Sequence, residues 1–247
     1  MVKYKFIIDK PLLDGQFVSL SETEKDIVIA TVIDDYSLLL EGFQTKRITK
    51  AIKLLRDYNK PFVTVYKDNT ERELIGENKG DTVEAGLVTN ADGGYLYTED
   101  LSSLDVCIIS WLRIIMYNTW IKLCCHGRDT VTLPANFKLI AETTKKKTCD
   151  YDFKSIISMC DIRYRCEEDE HRDVYSLCYL KKEIDRIKGF SEVFGDDSIR
   201  FTERAEDEKF SLQCKDNTIR FAKTLSIIKG HTLVSYNDLE SAYILTN

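Results

Sequence analysis

The short run Ser37-Leu38-Leu39-Leu40 constrains this chain more than any other feature. It is apolar without alternation and closes on Glu41-Gly42. A run of that length fits a strand buried on both faces, as in a parallel sheet covered by helices on each side. A helical repeat follows at once, with Ile48, Ile52 and Leu55 on one side. Asn59-Lys60-Pro61 stops it, and Phe62-Val63-Thr64-Val65-Tyr66 reads as the next strand. Strand, glycine turn, helix and strand make a βαβ unit, whose ligands sit at the carboxyl ends of the strands, here around Gly42.

The flanking sequence extends the same rhythm. Ser21-Glu22-Thr23-Glu24 reads as a helix start, a serine cap answered three residues later by a carboxylate. Ile27, Ala30, Thr31 and Ile33 give that helix its apolar side, and Asp34-Asp35 breaks the pattern. A second unit begins at Gly93-Gly94, runs through the strand Tyr95-Leu96-Tyr97-Thr98 and ends in Glu99-Asp100. Ser102 or Ser103 is the expected cap of the next helix, with Leu104, Ile108, Trp111, Leu112 and Ile115 on one face. Trp120–Leu123 and Thr130–Leu133 flank His126-Gly127-Arg128-Asp129 as a hairpin, and Phe137–Ala141 is a further buried strand. Beyond this the chain turns helical and charged, with helices expected over 171–188, Asn217–Lys229 and Tyr236–Leu245. The reading is an α/β core over residues 1–166 and a helical domain over 167–247.

Composition excludes several function classes. A hydrophobic share of 43% in 247 residues supports a packed core and argues against disorder. The net charge of −6 leans away from nucleic acid as the main partner. No apolar run approaches the roughly 18 residues of a membrane span. The amino terminus meets Asp9 and Lys10 too early for a signal-peptide core, so a cytoplasmic location is expected. The eight cysteines form no C-x-x-C pair and read as small buried hydrophobes. His126, His171 and His231 stand far apart, with no obvious acidic or thiol partner.

These elements, in this order, resemble the AAA+ module of magnesium and cobalt chelatases, kin of the MCM-type helicase motors. The opening stretch Phe17 to Lys25, then Ile33-Asp34 and Leu38-Leu39-Leu40-Glu41-Gly42, follows the family's helix leading into the P-loop strand. Ala91 to Asp105 is similar to its Walker B strand, acidic pair and capped helix. Pro134-Ala135-Asn136-Phe137-Lys138-Leu139-Ile140 resembles the strand before the sensor-1 asparagine, and Thr218 to Leu239 the paired lid helices. The resemblance implies a P-loop NTPase-like (AAA+) three-layer α/β domain with a mostly parallel sheet, followed by a small helical lid domain.

Laid against the family's motifs, the functional positions have drifted. A P-loop reads G-x-x-x-x-G-K-[ST], its glycines opening backbone N–H groups to phosphate, its lysine offsetting charge and its hydroxyl holding Mg²⁺. Gly42 and Thr49 keep their places, but the second glycine is Arg47 and the lysine is Ile48, leaving Lys46 as the nearest amine. The Walker B pair is inverted to Glu99-Asp100, so each carboxylate is one methylene away from its role. Sensor 1 falls on Thr144 and sensor 2 on Gln213, with Arg220 the nearby arginine. The arginine finger falls on Met159 within Ile156 to Ile162.

The expected function is therefore that of a degenerate, non-hydrolysing AAA+ module, a structural or regulatory partner in a ring, assembling with itself or with an intact AAA+ ATPase subunit. An atypical active ATPase would bind nucleotide through Gly42, Lys46 and Thr49, and Mg²⁺ through Thr49 and Glu99, with Glu99 and Asp100 as its catalytic pair. A third reading, an MCM-like nucleic-acid module, rests on the hairpin around Arg128.

Overall fold

The computed structural model describes residues 13–42, 44–79, 82–124, 130–144, 151–166, 171–194, 200–201 and 216–247. At its centre is a parallel sheet of five strands in the order β10-β2-β9-β6-β3. These are β2 (Leu38–Glu41), β3 (Phe62–Val65), β6 (Tyr95–Thr98), β9 (Lys138–Thr143) and β10 (Ile162–Arg165). β2 shows why the sheet is sandwiched. Leu38, Leu39 and Leu40 are all 0% exposed; Leu38 and Leu40 join the core cluster on one face, Leu39 the cluster on the other. A strand apolar at every position can satisfy alternate side chains only if both faces are covered.

One covering layer comprises α1 (Glu22–Asp34), α2 (Lys46–Leu55), α7 (Leu177–Phe194), α8 (Asp216–Ile228) and α9 (Tyr236–Thr246). Ile27, Ile52, Leu180, Phe221 and Leu239 pack in that one cluster, so the carboxyl-terminal helices share a core with α1 and α2. The opposite layer holds α3 (Glu71–Ile75), α4 (Leu87–Asn90), α5 (Val106–Asn118) and α6 (Tyr151–Met159). Smaller pairings decorate the frame: β4 (Gly76–Asn78) with β5 (Val83–Ala85), the antiparallel hairpin β7 (Trp120–Cys124) and β8 (Thr130–Pro134), and β12 (Arg200–Phe201) with β13 (Leu233–Val234).

Local chemistry sets the boundaries. α1 starts in the expected capping box: the Ser21 hydroxyl accepts from Glu24 N (3.2 Å), and Glu24 accepts from Ser21 N (3.1 Å). Gly94 is required by contact, because a Cβ there would lie 2.2 Å from Pro61 O at the point where β6 enters beside β3. Two expectations are corrected. The cap of α5 is Asp105, which accepts from Cys107 N at 2.8 Å; Ser102 and Ser103 lie in a 3-10 turn (Leu101–Ser103) that Asp100 caps. The stretch 171–188 is not one helix. Asp173–Ser176 forms β11, which pairs antiparallel with β1 (Phe17–Leu20) before α7 begins at Leu177. That pairing joins residues more than 150 positions apart, beyond the reach of a local helical repeat.

All five strands end on the same rim, at Glu41, Val65, Thr98, Thr143 and Arg165. The opposite rim carries Asp34, Ser37 and Asp161, where Asp161 accepts from Ser37 N at 2.8 Å. Burial in α1 raises the Asp26 carboxyl to about 6, with Glu22 and Asp238 adding to the rise and Lys25 and Lys229 opposing it. A folded pKa above the unfolded one means the native state holds the proton more tightly. Stability is therefore favoured below about pH 4 and declines as pH rises through about 6. Asp26→Asn is expected to raise stability at pH 7.5 by about 1–2 kcal/mol and to change little at pH 4, read from urea unfolding at the two pH values.

Candidate functional site

The chain leaves β2 through Gly42, whose φ of +106° lies where only glycine is comfortable. A Cβ at this position would stand 3.1 Å from Cys166 O, and Gly42 N donates to Thr143 O (3.1 Å), tying the loop to β9. Gln44 takes a left-handed φ of 66°, Thr45 turns into helical geometry, and α2 begins at Lys46. Thr45 occupies the cap position of α2, yet its hydroxyl makes no cap bond.

That hydroxyl points instead to Glu142, on the middle strand β9. Glu142 is 4% exposed, and three hydroxyls converge on its carboxylate: Thr45 to Oε2 (2.5 Å), Thr49 to Oε1 (2.8 Å) and Tyr97 to Oε1 (2.7 Å). A buried carboxylate persists only with such donors, and the amino end of α2 adds the positive end of its dipole. Burial, and then the hydrogen bond to Glu142, push the Tyr97 phenol well above its ordinary range, so it stays a donor.

The other P-loop side chains face elsewhere. Ile48 is fully buried in the core between α2 and the sheet. Arg47 folds back onto Glu24 of α1: Nε donates to Oε2 at 3.0 Å and Nη2 to Oε1, while Nη1 reaches Gln44 O at 2.6 Å. Glu24 is 0% exposed and has Arg172 Nε 3.8 Å away as a second cation, so one carboxylate caps α1 and neutralises α2. Removing either partner of such a buried pair leaves an uncompensated charge.

The structure brings some of the expected residues together and separates others. Gly42, Lys46, Thr49, Glu99, Asp100 and Thr144 all lie at the carboxyl rim, Thr144 as the exposed residue just after β9. Lys46 Nζ pairs with Glu99 Oε2 at 3.2 Å, with both side chains more than half exposed, a contact worth little in water. Asp100 is engaged as a cap, accepting from Ser102 N (3.0 Å) and Ser102 Oγ (2.6 Å). Glu99 and Asp100 border a 410 Å³ cleft at the ends of β3 and β6, alongside Tyr66, Lys67 and Asp68. Arg220 lies on the opposite rim: it donates to Asp34 O, and its guanidinium sits 4.5 Å from the Tyr36 ring centroid. Met159 closes α6 two residues before Asp161, also toward that far rim. Gln213 and Arg128 lie outside the described residues.

The residues that organise the rim, Glu142, Thr45, Tyr97 and Glu24, lie outside the family's motif positions. The available signal was a charge inside an otherwise apolar strand, Leu139-Ile140-Ala141-Glu142, and such a charge needs partners. Together these side chains fit ATP with Mg²⁺ poorly. The threonine hydroxyls are held by an anion, Ile48 brings no charge, and Arg47 is matched to Glu24. Glu142→Gln is expected to cost about 1–3 kcal/mol, and Tyr97→Phe somewhat less, because each strands buried polar groups; urea unfolding of both variants measures it.

With this geometry in view, comparison with known proteins places the chain. No curated protein sequence matches it. Among solved structures it is similar to a "putative ATPase" from Cytophaga hutchinsonii, with a TM-score of 0.58 over 90% of this chain and 79% of that one, at 12% identity. The likeness extends to the fold, a P-loop NTPase-like AAA+ architecture. The family described as magnesium chelatase, subunit ChlI, matches residues 39–172. That span runs from β2 through the Glu142 cluster to Arg172 and covers more than half of the 247 residues; the chain belongs to the magnesium chelatase ChlI family of AAA+ modules.

Proposed function

We propose that this chain is a non-hydrolysing AAA+ module that acts as a structural or regulatory partner in a ring, with itself or with an intact AAA+ ATPase subunit. The observation that carries the reading is the Glu142 carboxylate, which accepts the Thr45, Thr49 and Tyr97 hydroxyls. Thr49 occupies the position whose hydroxyl holds Mg²⁺ in a working P-loop, and here that hydroxyl is donated to a buried anion. A triphosphate entering the same space would meet a like charge in a low-dielectric pocket, where repulsion is strong. Ile48 brings no charge and Arg47 is matched to Glu24, which leaves the exposed Lys46, paired with Glu99, as the loop's other cation. In this reading residues 167–247 form the lid, and in sequence register with the family's motifs Gln213 and Met159 replace the sensor-2 and finger arginines.

A second reading has one observation in its favour. The Lys46–Glu99 contact joins an amine from the loop to the first residue of the acidic pair, as an atypical ATP site would. Thr49 and Glu99 would then share the Mg²⁺, with Asp100 and Thr144 beside them. One experiment decides between the two: titration calorimetry with ATP and Mg²⁺, run beside a phosphate-release assay. The non-hydrolysing reading expects no binding tighter than about 1 mM and release at background. Micromolar binding, with release lost in the double variant Glu99→Ala, Asp100→Ala, would overturn it. Mass measurement with and without an intact chelatase-type ATPase tests the partner role, and a persistent monomer in both counts against it.

A further inference from the structure

β10 is an outer strand of the sheet: β2 pairs with one edge, and no described strand pairs with the other. Ile162 N donates to Ser37 O (3.1 Å) and Cys166 N to Glu41 O (2.9 Å). In a parallel pair, alternate residues bond to the same neighbour, so the backbone groups of Arg163 and Arg165 are directed to the outer edge. Beside that edge runs a groove of 480 Å³. One wall is the strand, with Arg163 and Arg165; the other is α9, with Ile244 and Leu245. Ile244 is 71% exposed, an apolar side chain on the groove wall with most of its surface in water.

The two walls differ chemically. Ile162 and Tyr164 turn into the core on the α9 side, so strand alternation puts the Arg163 and Arg165 side chains on the other face. Arg163 is partly held, Nε donating to Ile157 O (3.1 Å) and Nη1 to Asn247 O (3.5 Å), while Arg165 is exposed. Among the described residues no acidic side chain lines the groove, although the chain as a whole carries −6.

We propose that this groove binds an extended segment of a partner protein as a sixth strand, one in which acidic and apolar residues alternate. The free edge of β10 offers main-chain hydrogen bonds, the usual source of affinity in strand addition, and alternate side chains supply specificity. Carboxylates at every second position meet Arg163 and Arg165, where guanidinium–carboxylate pairing is strong and directional. The intervening apolar residues cover Ile244 and Leu245. A second copy of this chain is the poorer occupant, since pairing β10 with β10 sets arginines opposite arginines. The inference goes beyond the proposed function and holds whether or not the Glu142 site admits nucleotide.

The test is fluorescence anisotropy of the full chain with a labelled heptapeptide of alternating valine and aspartate. Saturable binding is expected, weakened about tenfold or more by Arg165→Glu and by Ile244→Asp. Both positions are exposed, and unfolding midpoints check that the variants fold. On the unmodified chain, binding is expected to be lost when the peptide's edge-facing amides are N-methylated. Absence of saturation up to about 1 mM would overturn the proposal. So would an N-methylated peptide that binds as well as its parent, which would reduce the site to a charged patch. Self-association of the chain that Ile244→Asp abolishes, with no peptide binding, would assign the groove to a second copy. Nucleotide assays do not enter these readouts, so failure here is distinct from failure of the non-hydrolysing reading.

Discussion

Leu38, Leu39 and Leu40 bury on alternate faces of one strand, and that double burial governs the rest of the molecule. A strand with no polar face needs a layer of helices on each side, and parallel neighbours need crossovers that supply those helices. All strand ends then collect at one rim. There the sheet's interior meets loops and helix starts, and any polar group must find a partner within a few ångströms. At that rim β2 hands over to α2.

The rim of this chain is neutralised from within. In a working P-loop the start of the helix and its glycine loop form a cradle for an external anion. In the proposed reading two internal carboxylates take that anion's place. Glu142, reaching up from the middle strand, takes the Thr45, Thr49 and Tyr97 hydroxyls, and Glu24, reaching across from α1, takes Arg47. The two clusters reinforce each other through sequence: Thr45, Arg47 and Thr49 alternate along the first turn of α2, and the intervening Ile48 anchors that turn in the core. Glu24 also closes the capping box of α1, so the amino ends of α1 and α2 are fixed by one side chain. The proposed loss of hydrolysis and the local order of this rim thus have a common physical origin, an anion supplied by the protein itself.

Much of the frame could be read from the sequence. The triple leucine, the Ile48-Ile52-Leu55 repeat, the Gly93-Gly94 entry to β6 and the Ser21–Glu24 capping box are local signals, and each formed the element it announced. Other elements have no such local signal. β1 and β11 exist only because each supplies the other's hydrogen bonds from more than 150 residues away. β10 has four residues and takes its identity from pairing with β2. Arg220, close in sequence to the lid motif, turned out to serve Asp34 and Tyr36 on the far rim, because the direction in which α8 crosses the sheet is not written in its own periodicity.

Sequence alone determined the layers, the parallel sheet and the position of the loop after Gly42, since these follow from hydrophobic period and from residues with restricted backbone geometry. Sequence also placed Arg47 and Ile48 in the turn that follows Gly42. Only the tertiary structure decided what the side chains of that turn touch. Glu142 lies 97 positions from Thr45 and 45 from Tyr97, and nothing short of the folded sheet brings the three within hydrogen-bond distance. Hydrophobic patterning acts over a few residues of chain, whereas the partners of a buried charge are chosen by proximity in space.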